Sequence, residues 1–273
     1  MASATVTKSE GIMAEERHSG LWLTLNRPDR RNALGLAEYM SLIAALRAAG
    51  ERTDIRYVAL SGSGDHFCSG GDLGGLGPIL SLTPAERAEK SRGDHEATAA
   101  ALMWAIWDLP QPLIVAARGH AIGQGAQLIL AADVAIVSET LRFSVPQVRL
   151  GHTADHGESW YLPRRVGMTQ AARLLLTGES VGGARAVDMG VASELVEDAK
   201  LTARLEELAL VFANGSGPAQ RENKRLLRDS WGGDIFEQCK REREALARSV
   251  QTGDFLEAIA AFQEKRPPVF GAQ

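Results

Sequence analysis

Two segments of the chain join glycines to a preceding apolar run in a way that suits the binding of negative charge. They are Phe67-Cys-Ser-Gly-Gly-Asp-Leu73 and Gly119-His-Ala-Ile-Gly-Gln-Gly-Ala-Gln127. Each follows a run that reads as a strand, and the second leads into a predicted helix, Ala126 to Ala132. Backbone NH groups are thereby left where an anion can sit. Either loop alone reads as a turn after a strand; the two together are the stronger sign. A third segment, Leu150 to Gly157 with Glu158 behind it, crowds His152, Asp155, His156 and Glu158 into one stretch.

Two other chemistries are set aside on spacing. The Gly119 to Gln127 segment lacks GxGxxG, and no ribose-binding acid follows it in a suitable strand, so a dinucleotide fold does not fit. Ser69 is not in a Gly-x-Ser-x-Gly elbow, and His66 alone supplies no triad.

The elements that must position these loops read as follows. Gly20 to Asn26 alternates as a half-buried strand and stops at the turn Asn26-Arg-Pro-Asp-Arg30. Tyr57 to Ser61, Leu113 to Ala117 and Val134 to Val137 read as buried strands. Leu34 to Ala49 has helical spacing, and Thr83 to Leu109 has room for one or two helices. Beyond Gly167 the chain is mostly helical: Thr169 to Thr177, Gly182 to Asp188, Leu201 to Asn214, Pro218 to Trp231 and Ile235 to Arg248, with a strand at Val191 to Val196. Strands alternating with helices indicate an α/β architecture.

The chain has 273 residues, 45% of them hydrophobic, enough for a large core, and a net charge of -4 with 30 basic and 34 acidic residues dispersed along it. No basic stripe announces a nucleic-acid or membrane partner. Two cysteines, Cys68 and Cys239, form neither a disulfide framework nor a metal cluster, which fits a cytoplasmic setting and no metal. Residues 1–16 are polar and acidic and are expected to be a disordered leader rather than a signal peptide.

Taken in order, Asn26-Arg-Pro, Arg31-Asn-Ala-Leu34, Phe67 to Asp72, Gly119 to Gly123, Ala132-Asp-Val-Ala-Ile136, Phe143 with Pro146, Leu162 to Gly167 and Leu175 to Ser180 resemble the crotonase (enoyl-CoA hydratase/isomerase) family. The resemblance runs from about Gly20 to Phe270. It implies a spiral of ββα units over residues 17–198 and a helical trimerisation region over residues 199–273. It further implies an acyl-CoA substrate with no permanent cofactor, and a homotrimer or dimer of trimers. Matched position by position, the thioester carbonyl would lie between the NH groups of Gly71 and Gln124, which prealigned would stabilise an enolate oxygen. Gly70 and Gly123 would let the backbone approach. Arg27, Arg31, Ala33, Ser69, Asp72 and Leu73 would line the coenzyme A moiety, and Lys265 either reaches a neighbouring subunit's ligand or belongs to a solvated basic tail.

The sequence departs from the hydratase pattern at two positions. Hydratases of the family carry glutamates where this chain has Gln127 and Gln147, and an amide cannot accept a proton as a carboxylate does. Asp155 falls where double-bond isomerases of the family carry an acid, so isomerisation with Asp155 as base is expected. Its competing role is to cap the helix beginning near Gly157. The alternatives are a hydratase working through Gln127, Gln147 and Asp155, and a non-catalytic acyl-CoA binder. His152, His156 and Glu158 read as exposed loop residues or helix N-terminal charges, with tuning of Asp155 or service as a second acid as the other options. His95 is a lid candidate. Met103, Trp104, Trp107 and Trp160 line the acyl pocket or fill the core.

Overall fold

The computed structural model describes residues 6–9, 11–75 and 77–271. The strands are β1 (Val6–Ser9), β2 (Ile12–Arg17), β3 (Gly20–Leu25), β4 (Tyr57–Gly62), β5 (Leu113–Ala117), β6 (His120–Ile122), β7 (Val134–Ser138), β8 (Arg142–Ser144), β9 (Ser180–Gly182) and β10 (Glu194–Val196). The helices are α1 (Leu36–Gly50), α2 (Pro84–His95), α3 (Ala101–Asp108), α4 (Gln124–Ala131) and α5 (Glu158–Thr177), then α6 (Gly183–Asp188), α7 (Leu201–Ala213), α8 (Gly217–Asp229), α9 (Ile235–Ser249) and α10 (Gly253–Glu264).

One sheet runs β1-β2-β3-β4-β5-β7-β10 and a smaller one β6-β8-β9. From β3 onward the large sheet is parallel. Its central strands are apolar on both faces because both are covered. On the outer face Trp22, Tyr57, Ile114 and Ile136 pack against Leu201, Leu205 and Ala209 of α7. The inner face, with Leu23, Leu60 and Val115, packs in the main core with residues of α1, α3, α4 and α5. Twice the chain passes from the large sheet to the small one and then into a helix: β5, β6, α4 and again β7, β8, α5. This is the expected ββα spiral.

The leader expectation is corrected. Residues 1–5 and 10 lie outside the described residues, but β1 and β2 form an antiparallel hairpin that extends the sheet from β3, with Ile12 paired to Leu25 and only 2% exposed. The body therefore reaches back to Val6. The hairpin escaped sequence reading because Ala-Glu-Glu-Arg17 is polar, as suits a strand near a sheet edge.

Thr83 to Leu109 forms α2, a wider π-type turn at Glu96–Ala100, and α3. A reciprocal cap starts α2: Thr83 Oγ1 accepts from Glu86 N, and Glu86 accepts from Thr83 N at 2.8 Å. Helix α10 of the C-terminal region and the short core strands β6, β8 and β9 have no counterpart among the sequence-based elements. Arginines fasten this region to the body. Arg221 donates to the carbonyls of Arg52, Thr53 and Ile55, and Arg56 donates to those of Ala213, Gly215 and Phe270. Among the described residues, no helix is long and apolar enough to cross a membrane.

Candidate active site

The two glycine loops lie side by side. Cys68 donates its NH to His120 O at 2.8 Å and accepts from Ile122 N at 3.0 Å, a two-residue ladder that carries the first loop along β6. Just beyond it Gly70 (φ +102°) and Gly123 (φ +52°) touch. A Cβ on Gly70 would stand 3.1 Å from Ile122 O and 4.0 Å from Gln124 N, and one on Gly125 would run into Cys68 O. Only glycine allows this approach. The Cys68 thiol is fully buried, and burial pushes it up to about 12, so it stays a neutral packing group.

The NH groups of Gly71 and Gln124 are left over by this arrangement. Leu34 donates to Gly70 O at 2.9 Å and accepts from Asp72 N at 2.8 Å, so the Gly71 NH between them takes no part in the bridge. Helix α4 starts at Gln124, two residues before the sequence-based start, with Gly123 as its N-cap. The Gln124 NH thus belongs to the first turn, which has no intrahelical acceptor. Two amides with no partner among the described residues, on touching loops, can hold a carbonyl oxygen as it gains charge.

Every residue of α4 is buried, its two glutamines included. The Tyr39 hydroxyl donates to Gln124 Oε1 at 3.0 Å, and Gln124 Nε2 donates to Gln127 Oε1 at 2.5 Å. Gln127 therefore ends a hydrogen-bond chain, with its Nε2 unpaired among the described residues. Burial raises the Tyr39 phenol, and the negative charges of Asp155 and Glu158 add to the effect, which puts these acids within electrostatic reach of the same helix pair.

The third segment folds into a compact acid cluster. Gln147 opens a short turn after Pro146, and its Nε2 donates to Glu158 Oε1 at 2.6 Å and to Asp155 Oδ1 at 3.2 Å. His156 Nδ1 lies 2.8 Å from Asp155 Oδ1 and 3.4 Å from Glu158 Oε1, and the His156 NH donates to Glu158 Oε2 at 2.9 Å. Burial opposes a charge on His156, but its hydrogen bonds to Asp155 and Glu158 outweigh this and the imidazole is pushed up to about 9. Burial likewise opposes the Asp155 charge, and the His156 hydrogen bond and charge more than offset it, holding the carboxyl below the usual aspartate value.

Asp155 does not cap α5. Gly157, in the left-handed region at φ +83°, is the N-cap and no side chain bonds there. A Cβ on Gly157 would meet Met103 Sδ at 2.5 Å. His95, at the end of α2, hydrogen-bonds the Asp155 carbonyl through its ring. The Asp155 side chain is 35% exposed, and its Oδ2 has no partner among the described residues. Donor atoms of Asp155, His156 and Glu158 fall within 4.8 Å of one another, and His156 supplies the positive charge between the two carboxylates.

The residues expected along coenzyme A are split between scaffold and surface. Arg27 is occupied by the Ala33 carbonyl, Glu38 and Asp72 at 3.1–3.2 Å. Arg31 is exposed with φ +50°, and its carbonyl accepts from Ser69 N at 3.0 Å. Leu73 is 56% exposed beside the first loop. Lys265 ends α10 in the left-handed region. Phe270, a few residues on, is bonded to Arg56, which precedes β4, whereas the glycine loops follow β4 and β5. Within one chain Lys265 thus belongs to the other end of the sheet.

Of the four pocket candidates, Met103 reaches the acid loop through Gly157. Trp107 and Trp160 stack edge-to-face at 5.2 Å, with Trp231 4.4 Å from Trp160, and Trp104 is 60% exposed. Sequence reading missed Tyr39, Asn32 and the depth of Glu158. Asn32 is buried and clamps Arg27 N, Ser63 O and His66 O. Its only sequence signal was a polar residue inside a turn motif.

The sequence model of the enoyl-CoA hydratase/isomerase family matches residues 15–273. A Rhodobacter capsulatus protein named "Probable enoyl-CoA hydratase" is 36% identical over 91% of this chain and 93% of its own length. The 1,2-epoxyphenylacetyl-CoA isomerase of Escherichia coli is 28% identical over 96% of this chain and 98% of its own. The crystal structure of an enoyl-CoA hydratase from Bacillus anthracis superposes with a TM-score of 0.87 at 27% identity, covering 99% of each chain. Fold, loop geometry and sequence agree: the chain has the crotonase fold and belongs to the enoyl-CoA hydratase/isomerase family.

Proposed function

We propose that this protein shifts a double bond along an acyl-CoA, with Asp155 as the base and the NH groups of Gly71 and Gln124 holding the thioester oxygen. The observation that carries the reading is the Asp155 carboxylate itself: it caps no helix, Oδ1 is held by His156 and Gln147, and Oδ2 is free of protein partners among the described residues. For a 3-enoyl-CoA, Oδ2 takes a proton from C2, and the C–H electrons pass into the dienolate whose oxygen sits on the two amides. The same carboxyl returns the proton to C4, leaving the 2-enoyl product. A carboxyl held below its usual range is ionised at neutral pH, so it is ready to accept; the oxyanion stabilisation must then carry most of the barrier.

The two glutamines support isomerisation over the two-glutamate hydration route, since neither accepts a proton. A hydratase in which Gln147 and Asp155 orient water is the second reading, favoured by the polar groups gathered at Gln147 and by the name of the Rhodobacter relative. Coenzyme A enters as part of the substrate, with Arg31 as its exposed cation. A homotrimer or dimer of trimers, with Lys265 turned to a neighbour's ligand, fits the exposed apolar side chains of α9 and α10. Two free cysteines support a cytoplasmic setting.

The test is wild type against Asp155→Asn on a 3-enoyl-CoA and a 2-enoyl-CoA, with products identified. Migration lost in the variant is expected. Migration kept would sink the role of Asp155. Hydration by both proteins would favour the second reading.

A further inference from the structure

Among the described residues Glu158 is a carboxylate with no exposed surface, and an unpaired charge so placed would be strongly destabilising. Standing first in α5, it would ordinarily be read as a charge complementing the helix dipole. Its bonds run elsewhere. Oε2 accepts the His156 NH, while Oε1 accepts from Gln147 and faces the His156 ring, and all three groups lie outside the helix. His156 and Gln147 are in turn the two groups that hold Asp155 Oδ1.

We propose that Glu158 and His156 form a positioning pair for Asp155: Glu158 fixes the imidazole and the Gln147 amide, and these hold Oδ1 so that Oδ2 meets the acyl chain. The inference rests on Asp155 being the base and deepens that reading. Neither residue touches substrate; both act through Asp155. Gly157 cannot take a side chain without displacing Met103, so the ring and the carboxylate are held on either side of a fixed turn. The groups facing His156 are Asp155 and Glu158 within bonding range and Gln147 at 3.5 Å. His152 acts on Asp155 through its charge, His95 bonds the Asp155 carbonyl from α2, and Tyr39 feels both acids from α1.

The test uses the full chain with Glu158→Gln, His156→Asn and Asp155→Asn, reading two signals. The first needs no substrate: the His156 imidazole is titrated by NMR, assigned by its disappearance in His156→Asn. In wild type it should stay charged to about 9. In Glu158→Gln it should titrate lower by about one unit or more, a tenfold change in the proton equilibrium. The second is the pH–rate profile with a 3-enoyl-CoA. In Glu158→Gln kcat should fall about tenfold or more, within the roughly hundredfold to ten-thousandfold a positioned base contributes, while KM changes little. The alkaline limb should move to lower pH, and in His156→Asn it should vanish.

A Glu158→Gln protein with wild-type His156 titration, kcat and pH limb overturns the proposal. If that variant does not fold, His156→Asn decides alone, and an unchanged kcat and limb there overturns it as well. An Asp155→Asn enzyme that keeps its activity sinks the base assignment instead, a result separable from the His156 titration.

Discussion

The Tyr39 hydroxyl donates to Gln124 Oε1 across 3.0 Å, tying α1 to the first turn of α4 at the residue whose NH faces the thioester in the proposed mechanism. Both side chains are buried. Tyr39→Phe leaves that acceptor without its donor, which costs about 1–3 kcal/mol. The expected result is a lower denaturation midpoint with a modest loss of kcat. Urea denaturation and steady-state kinetics on the same preparation check both.

Glycines of the two loops divide into those required by the fold and those required by the site. A Cβ on Gly71 meets nothing within 4 Å, whereas one on Gly125 strikes Cys68. Gly71→Ala should therefore fold with near wild-type stability yet lose up to about a hundredfold in kcat/KM as the methyl enters the space of the thioester. Gly125→Ala should lose about 1–3 kcal/mol of stability through overpacking. Calorimetry beside kinetics separates the two.

Stability should depend on pH through the acid cluster. His156 is raised in the folded state, so its contribution is complete below its ordinary value near 6.5 and is lost as pH rises toward about 9. At roughly 1.4 kcal/mol per unit the loss is at most about 3.5 kcal/mol. Asp155 is lowered, so its contribution is present above the usual aspartate range and is lost as pH falls through its folded value. Urea midpoints from pH 6 to 9 should decline in wild type and decline less in His156→Asn.

Gln147→Glu would place a third carboxylate against Asp155 and Glu158, where Nε2 now donates. Like charges so close cannot all ionise without cost. The variant should be destabilised at pH 8 and recover on acidification, as a series of thermal midpoints would show.

Phe236, Leu256 and Phe262 are 77%, 64% and 84% exposed on α9 and α10. If a second copy covers them, Leu256→Ser with Phe262→Ser should lower the mass measured by light scattering toward that of one chain, leaving the fold intact by circular dichroism.

The strands that carry the glycine loops were legible because Tyr57 to Ser61 and Leu113 to Ala117 are continuous apolar runs, the pattern of strands covered on both faces. The β1–β2 hairpin was not, since an edge element needs little apolar surface. Asp155 was legible as a carboxylate near a helix start, but whether it capped that helix depended on the conformation of Gly157. Glu158 looked like helix N-terminal charge because its buried bonds, to the Gln147 amide eleven residues back and to the His156 NH, come from an irregular loop whose course no periodic pattern encodes.

Helix α7 lays Leu201, Leu205 and Ala209 over the face of the sheet that bears Trp22, Tyr57, Ile114 and Ile136. All of that face leaves the ribosome before the helix that covers it. A nascent chain paused short of Leu201 would present a broad aromatic and aliphatic surface to its surroundings, so truncations in this stretch should be captured by chaperones or precipitate rather than yield a smaller working enzyme.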